Sequence, residues 1–256
     1  MRARDLAFAT GATLILLTAG VAAAEIRVLS VGAVQNGLRS LAADFSKDTG
    51  HQVTLTIGSP AVVTQKIKEG FVADAVIVSE PAMDALDKEG IANPESRVRL
   101  VATGLGVAVR EGAPVPDVST PEAFKQALTT AKSIAYGDPT LPNQSGEKAE
   151  KVLARAGLLD TVKPKVKIIP SQADSQAMIA KGEIEMGLYN VSEIPEGKGL
   201  KYAGPAPAPL QVMVTYEAAL MSDGSVPEAA RAFITFLASD EAQAKWRAAR
   251  LDPPGR

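Results

Sequence analysis

Cysteine is absent from the 256 residues, and histidine occurs once, as His51. The first absence excludes disulfides, thiol nucleophiles, Cys-ligated zinc and iron–sulfur clusters. The second leaves a Ser-His-Asp triad only His51 and rules out a His-rich metal site. Aromatic residues make up only 4%, and no basic stripe carries interleaved aromatics, so nucleic acid is not an expected partner. The net charge of −2 exerts no general pull on nucleic acid or anionic membrane. Any preference for an anion must come from local groups. No metal, no cofactor and no catalytic residue is read from the chain.

The first 24 residues differ in kind from the rest. Arg2 and Arg4 form a basic start, an apolar run follows over residues 6–21, and Ala22-Ala23-Ala24 ends it. This is the three-part pattern of a secretory signal, cleaved after Ala24. It places the mature chain, from Glu25 onward, in the periplasm. A chain of that size has enough core to fold without disulfides.

Beyond residue 24, short apolar runs alternate with helical spacing. Strands are expected over 26–31, 53–57 and 75–78. Helices between them are marked by Leu38, Leu41, Ala42 and Phe45, with Gly50 as the stop, and by Ser59-Pro60, a cap followed by proline in the first turn. The run 101–109 reads as a strand broken by Gly104 and Gly106, which suits a crossing between lobes. Thr120-Pro121 opens a helix over the next stretch. Further strands are expected over 133–136, 166–169 and 184–188, with helices from about 146 to 157 and from Ser171 to Gly182. Pro205, Pro207 and Pro209 precede an expected strand over 211–214, read as the second crossing. Two helices, 227–238 and 240–250, end the chain.

Such alternation predicts an α/β fold of two lobes, each a sheet flanked by helices, with a ligand cleft between them. Lobe 1 takes residues 25–103 and 211–256, and lobe 2 takes 104–210. Ser59, Ala61, Ile67 and Gly70 recur 112 positions later as Ser171, Ala173, Ile179 and Gly182, a weak echo of duplication. In open α/β sheets ligands bind at the carboxyl ends of strands. Helix starts there present free N–H groups and partial positive charge, which hold anions without a formal cation. The expected loops are 32–36, 58–61, 143–146 and 171–173. Gln35, Asn36, Asn143, Gln144 and Gln172 are possible neutral donors, and each reads equally as ordinary loop polarity. His51 precedes its strand, so it is expected at a surface or an edge.

At these residues the chain resembles the periplasmic molybdate-binding protein family, type II solute-binding proteins of ABC importers. The resemblance rests on the opening strand with Gly32-Ala33, on Gly58-Ser59 and on Ala73-Asp74. It continues through Gly137-Asp138-Pro139, Leu159-Asp160 and Gly187-Leu188-Tyr189, and ends with the 233–237 helix before Asp240-Glu241-Ala242. The resemblance implies capture of a small anion, delivery to a membrane ABC permease and a monomeric state. It implies a ligand set of Gly32, Ala33, Val34, Ser59, Pro60, Ser145, Gly146, Ala173 and Tyr189. Tyr189 matches the family's ligand tyrosine, and the loops at Ser145 and Ala173 act through backbone N–H groups. Ala33 and Pro60 depart from the pattern, because the family offers hydroxyls there. Each missing donor costs roughly 1–3 kcal/mol for a buried oxyanion, so an organic carboxylate competes with molybdate as the ligand.

Aconitate isomerase resembles the same binding proteins, which makes a periplasmic tricarboxylate isomerase the alternative. That chemistry needs a base beside carboxylate donors. Lys66, Lys148 and Asp174 lie near the expected loops, but each reads as well as a solvated helix residue.

Overall fold

The computed structural model describes residues 23–140 and 145–254. Asn143 and Gln144, and nearly all of the expected signal segment, lie outside the described residues.

Ten strands form two five-stranded sheets. In chain order they are β1 (Glu25–Val31), β2 (Gln52–Gly58), β3 (Ala75–Ser79), β4 (Val98–Thr103) and β5 (Leu105–Arg110). The second five are β6 (Ile134–Tyr136), β7 (Val166–Ile168), β8 (Met186–Asn190), β9 (Leu200–Pro205) and β10 (Val214–Leu220). The first sheet has the order β2-β1-β3-β10-β4 and the second the order β7-β6-β8-β5-β9. In each, three parallel strands are followed by two that run antiparallel to their neighbours. The two sheets are therefore built alike, and each borrows its fourth strand across the junction. The chain leaves the first sheet at Thr103, enters the second at Leu105, and returns between Pro205 and Val214.

The helices follow from local signals. α1 (Gln35–Thr49) stops at Gly50, which sits at φ 77° in the left-handed region that favours glycine. The Ser59 hydroxyl caps α2 (Pro60–Lys68) by accepting from Val62 N at 3.3 Å. Thr120 caps α4 (Pro121–Thr130), and Ser171 caps α7 (Gln172–Lys181), in the same way. α5 (Ser145–Ala156) and the short α6 (Leu159–Val162) connect β6 to β7. The chain ends with α8 (Pro227–Leu237) and α9 (Asp240–Ala248). Two helices fall on residues not expected to be helical, α3 (Glu80–Lys88) and the single-turn α6.

Each sheet carries its own core. Leu29, Leu38, Leu41, Phe233 and Trp246 are fully buried in the first, and Leu105, Phe124, Leu153 and Leu188 in the second. Full burial of a Leu or Phe side chain is worth about 1.5–3 kcal/mol, so either lobe holds many such contributions. The Trp246 indole donates to the Leu237 carbonyl at 2.9 Å, tying α9 to the end of α8.

Two expectations about strands need correction. The strand read over 211–214 begins only at Val214, and residues 211–213 pair with no strand. The reason is Gln211, whose side-chain amide takes the backbone partners of Leu105 in place of a ladder. The strand read over 184–188 lies two residues later, as β8, because Ile184 belongs to the turn after α7. His51 stands at the sheet edge, directly before β2, but not at the surface. It is 7% exposed, its ring stacks on Phe45, and Nδ1 accepts from the Ala24 amide at 3.0 Å.

Candidate anion-binding cleft

The carboxyl ends of β1, β2 and β3 face those of β7 and β8 across one cleft of about 980 Å³. Gly32, Ala33, Gln35 and Asn36 line it after β1, and Gly58, Ser59, Pro60 and Ala61 after β2. From the second lobe come Ser145 at the start of α5, and Gln172, Ala173 and Gln176 in α7. Described residues of all four loops read from sequence thus line one cleft, at or next to helix starts. Free N–H groups at such starts favour an anion.

Three of the expected residues stand apart from the cleft wall. Val34 is fully buried in the core of the first lobe. Gly146 packs against the turn after β6, where an added Cβ would come within 2.3 Å of the Gly137 carbonyl oxygen. Glycine at 146 therefore lets α5 begin close to the strand that precedes it. Tyr189 is 1% exposed, and its hydroxyl shares a hydrogen bond with Ser175 Oγ in the first turns of α7. Burial pushes its phenol up to about 12, against the pull of that hydrogen bond. Of the polar candidates, Gln35, Asn36 and Gln172 line the cleft. Asn36 Nδ2 donates to the Ser192 carbonyl at 2.9 Å, and Ser192 Oγ donates to the Ala33 carbonyl at 2.7 Å. These bonds fasten the loop after β1 to the opposite lobe.

The floor holds residues that sequence reasoning missed or misplaced. Glu193 lines the cleft with one carboxyl oxygen 3.4 Å from the place a Cβ would occupy on Gly32. Its other oxygen accepts from Asn190 Nδ2 at 2.7 Å. Asn190 Oδ1 in turn accepts from Lys148 Nζ at 2.7 Å, and that ammonium also donates to the Thr103 carbonyl at 3.0 Å. Lys148 is thus a buried group, 3% exposed, and not a solvated helix residue. Burial holds its amine down to about 7, against the upward pull of Glu193. Burial also raises the Glu193 carboxyl, opposed by the Asn190 hydrogen bond and the nearby Lys148 charge. Lys66 instead lies over the Phe71 ring at 5.0 Å, and Asp174 is an exposed first-turn residue of α7.

Two hydroxyl residues complete the floor on the first-lobe side. Ser79 and Tyr216 are each 3% exposed and both line the cleft. Burial first, and then the negative charge of Glu193, push the Tyr216 phenol well above its ordinary range. No group of three or more His, Cys, Asp or Glu side chains suited to a metal ion occurs among the described residues.

A family model described as bacterial extracellular solute-binding protein matches residues 26–249. An aconitate isomerase of Pseudomonas sp is 33% identical over 243 residues, covering 91% of each chain. The molybdate-binding protein ModA of Escherichia coli is 26% identical, again over 91% of each. Among solved structures, the periplasmic molybdate-binding protein of Azotobacter vinelandii superimposes with a TM-score of 0.74 at 23% identity, over 90% of this chain and 100% of that one. The two like-built sheets, the junction between them and the match across residues 26–249 place this chain in the bacterial extracellular solute-binding protein family.

Proposed function

We propose that the chain is a periplasmic solute-binding protein that captures a small organic carboxylate for a membrane ABC permease, after cleavage of residues 1–24. The observation that carries capture of an anion is the convergence of helix starts from both lobes on one cleft. The ligand class follows from the floor. Ala33 and Pro60 offer no hydroxyl to a tetrahedral oxyanion. Glu193 puts a carboxyl against the Gly32 loop, where in its protonated form it can donate a hydrogen bond to an oxygen of the bound acid. A thermal-shift panel tests this reading. A ligand at about 100 times its Kd adds about 2.7 kcal/mol, a rise of about 5–10 °C for a chain of this size. Di- and tricarboxylates are expected to exceed molybdate, tungstate and sulfate. A shift with molybdate alone defeats the carboxylate assignment while leaving anion capture standing.

A second reading is favoured by the Glu193–Asn190–Lys148 chain and by the 33% identity to an aconitate isomerase. Interconversion of cis- and trans-aconitate by a 1,3-proton shift needs one group that removes a proton from a methylene carbon and returns one to the other end of the allylic system. No oxidant or reductant takes part. A carboxyl with a raised pKa at the edge of an anion site suits that role. Proton NMR of each isomer incubated with the protein separates the two readings. Interconversion makes the protein an isomerase, and a bound but unchanged ligand keeps it a receptor.

A further inference from the structure

Ser79 ends β3 and stands at the N-cap of α3, a nine-residue helix, yet its side chain makes no cap hydrogen bond. Its Oγ has no hydrogen-bond partner among the described residues. It is nevertheless almost completely buried, on the cleft wall. Every other Ser or Thr at an N-cap of these helices does accept from the helix: Ser59, Thr120, Ser171 and Ser239. Buried hydroxyls without partners are uncommon because each forfeits its hydration for nothing. Ser79 is thus set aside for something that enters the cleft.

Its surroundings define what enters. Tyr216 lies directly opposite Ser79 in the antiparallel pairing of β10 with β3. β1 and β3 are parallel neighbours with Ser30 opposite Ile77, so Gly32 and Ser79 both lie two residues further on, at the carboxyl edge. β2 flanks β1 on its other side and ends at Gly58 opposite Val31. The edge therefore presents Ser59, Gly32, Ser79 and Tyr216 in sequence, on strands about 4.8 Å apart. An oxyanion seated on the β2 side of Gly32 meets Ser59, and Ser79 stands one strand further along the edge. Two carboxylates joined by a short carbon chain lie about one strand spacing apart, ~5 Å, and meet both places. The same cleft is also lined by apolar side chains, Val63 from α2 and Ala82 from α3 among them.

We propose that Ser79 and Tyr216 form a second oxygen-binding subsite, so that the ligand is a di- or tricarboxylate held by one carboxylate at Gly32–Ser59 and by another at these two hydroxyls. The proposal rests on the carboxylate reading above and adds the requirement for two separated acid groups.

Titration calorimetry with acetate, succinate, tricarballylate and molybdate tests it on the intact mature protein, on Ser79→Ala and on Tyr216→Phe. The wild type is expected to bind succinate or tricarballylate at least about tenfold more tightly than acetate. Ser79→Ala should weaken the longer acids about five- to tenfold, the worth of one hydrogen bond, and leave acetate within about twofold. Tyr216→Phe should act the same way. Ser79→Ala should also melt at or above the wild-type temperature, since it removes an unpartnered buried hydroxyl, so a loss of affinity is not a loss of fold. If the longer acids bind and both variants match the wild type, the subsite is wrong and the carboxylate reading survives. An equal loss for acetate and succinate also overturns the subsite. If molybdate binds and no carboxylate does, both fall together.

Discussion

The Gln211 side chain pairs with the Leu105 backbone in both directions: its Oε1 accepts from Leu105 N at 2.7 Å, and its Nε2 donates to Leu105 O at 2.9 Å. One amide thus replaces a strand partner at the point where the chain enters the second sheet. The same Nε2 reaches the Ala206 carbonyl at 3.1 Å, close to where the chain leaves that sheet. Gly104 makes room, because a Cβ there would come within 2.5 Å of the Gln211 amide carbon. Gln211→Ala leaves a fully buried residue with an unpaired N–H and should lower stability by about 1–3 kcal/mol. Gly104→Ala should cost a similar amount by displacing the amide. Urea denaturation checks both, and a wild-type midpoint for either variant would remove the amide from the junction.

That junction also shows where sequence reading reaches its limit. Gly104 was legible because a glycine inside an apolar strand is a local signal. Caps such as Ser59 and Ser171 were legible for the same reason, as was the alternation that specifies the sheets. Gln211 was not, since its partners lie 106 residues away. β9 was missed because Gly204 and Pro205 masked a short edge strand. At the cleft, the four loops were read from strand ends and helix starts, whereas no local signal singled out Glu193. Lys148 sits among Glu147, Glu150 and Lys151, which read as a solvated face. A signal was nevertheless present. The buried positions 145, 149, 152, 153 and 156 repeat at helical spacing, and 148 falls on that stripe.

Processing is the next prediction. The Ala22-Ala23-Ala24 segment follows an apolar run, and the first strand among the described residues, β1, begins at Glu25. Intact-mass analysis of protein from the periplasm should give Glu25 as the amino terminus. Cleavage removes the Ala24 amide that His51 accepts from, and it leaves the seven pairings of β1 with β2 in place. A product that retains residues 1–24 and sediments with membranes would defeat the localisation.

Tyr189 gives a third prediction, and it differs from the role implied by the family resemblance. Its hydroxyl is spent on Ser175 behind α7, in a cluster that includes Ile179 and Ile184. Tyr189→Phe should therefore cost stability, about 0.5–1.5 kcal/mol for one buried hydrogen bond, and change ligand affinity less than about threefold. Calorimetry with the best ligand of the panel decides it. A loss beyond tenfold at unchanged melting temperature would return the phenol to the ligand.

The last prediction concerns pH, and it tests whether Lys148 and Glu193 titrate as a buried pair. An exposed lysine in the unfolded chain keeps its proton up to about 10.5, whereas folding holds Lys148 down to about 7. Between those values the unfolded state binds more protons than the folded one, so stability rises with pH across that window. Below about 7 the folded protein carries the whole cost of a charged, buried ammonium. Glu193 acts in the opposite sense. Its folded carboxyl titrates above the ordinary 4.5, so stability falls as pH climbs from 4.5 through the raised value. Guanidinium midpoints measured from pH 5 to 10 should therefore fall first and then rise. Lys148→Met should remove the rise above about 7, and Glu193→Gln should remove the fall at the acid side. The methionine variant also loses the donor to Asn190 and to the Thr103 carbonyl, which lowers its whole curve without giving it a slope. Curves for Lys148→Met that run parallel to the wild type from pH 7 to 10 would show that this amine keeps its proton throughout, and would leave Glu193 without a buried partner able to take up or release one near neutrality.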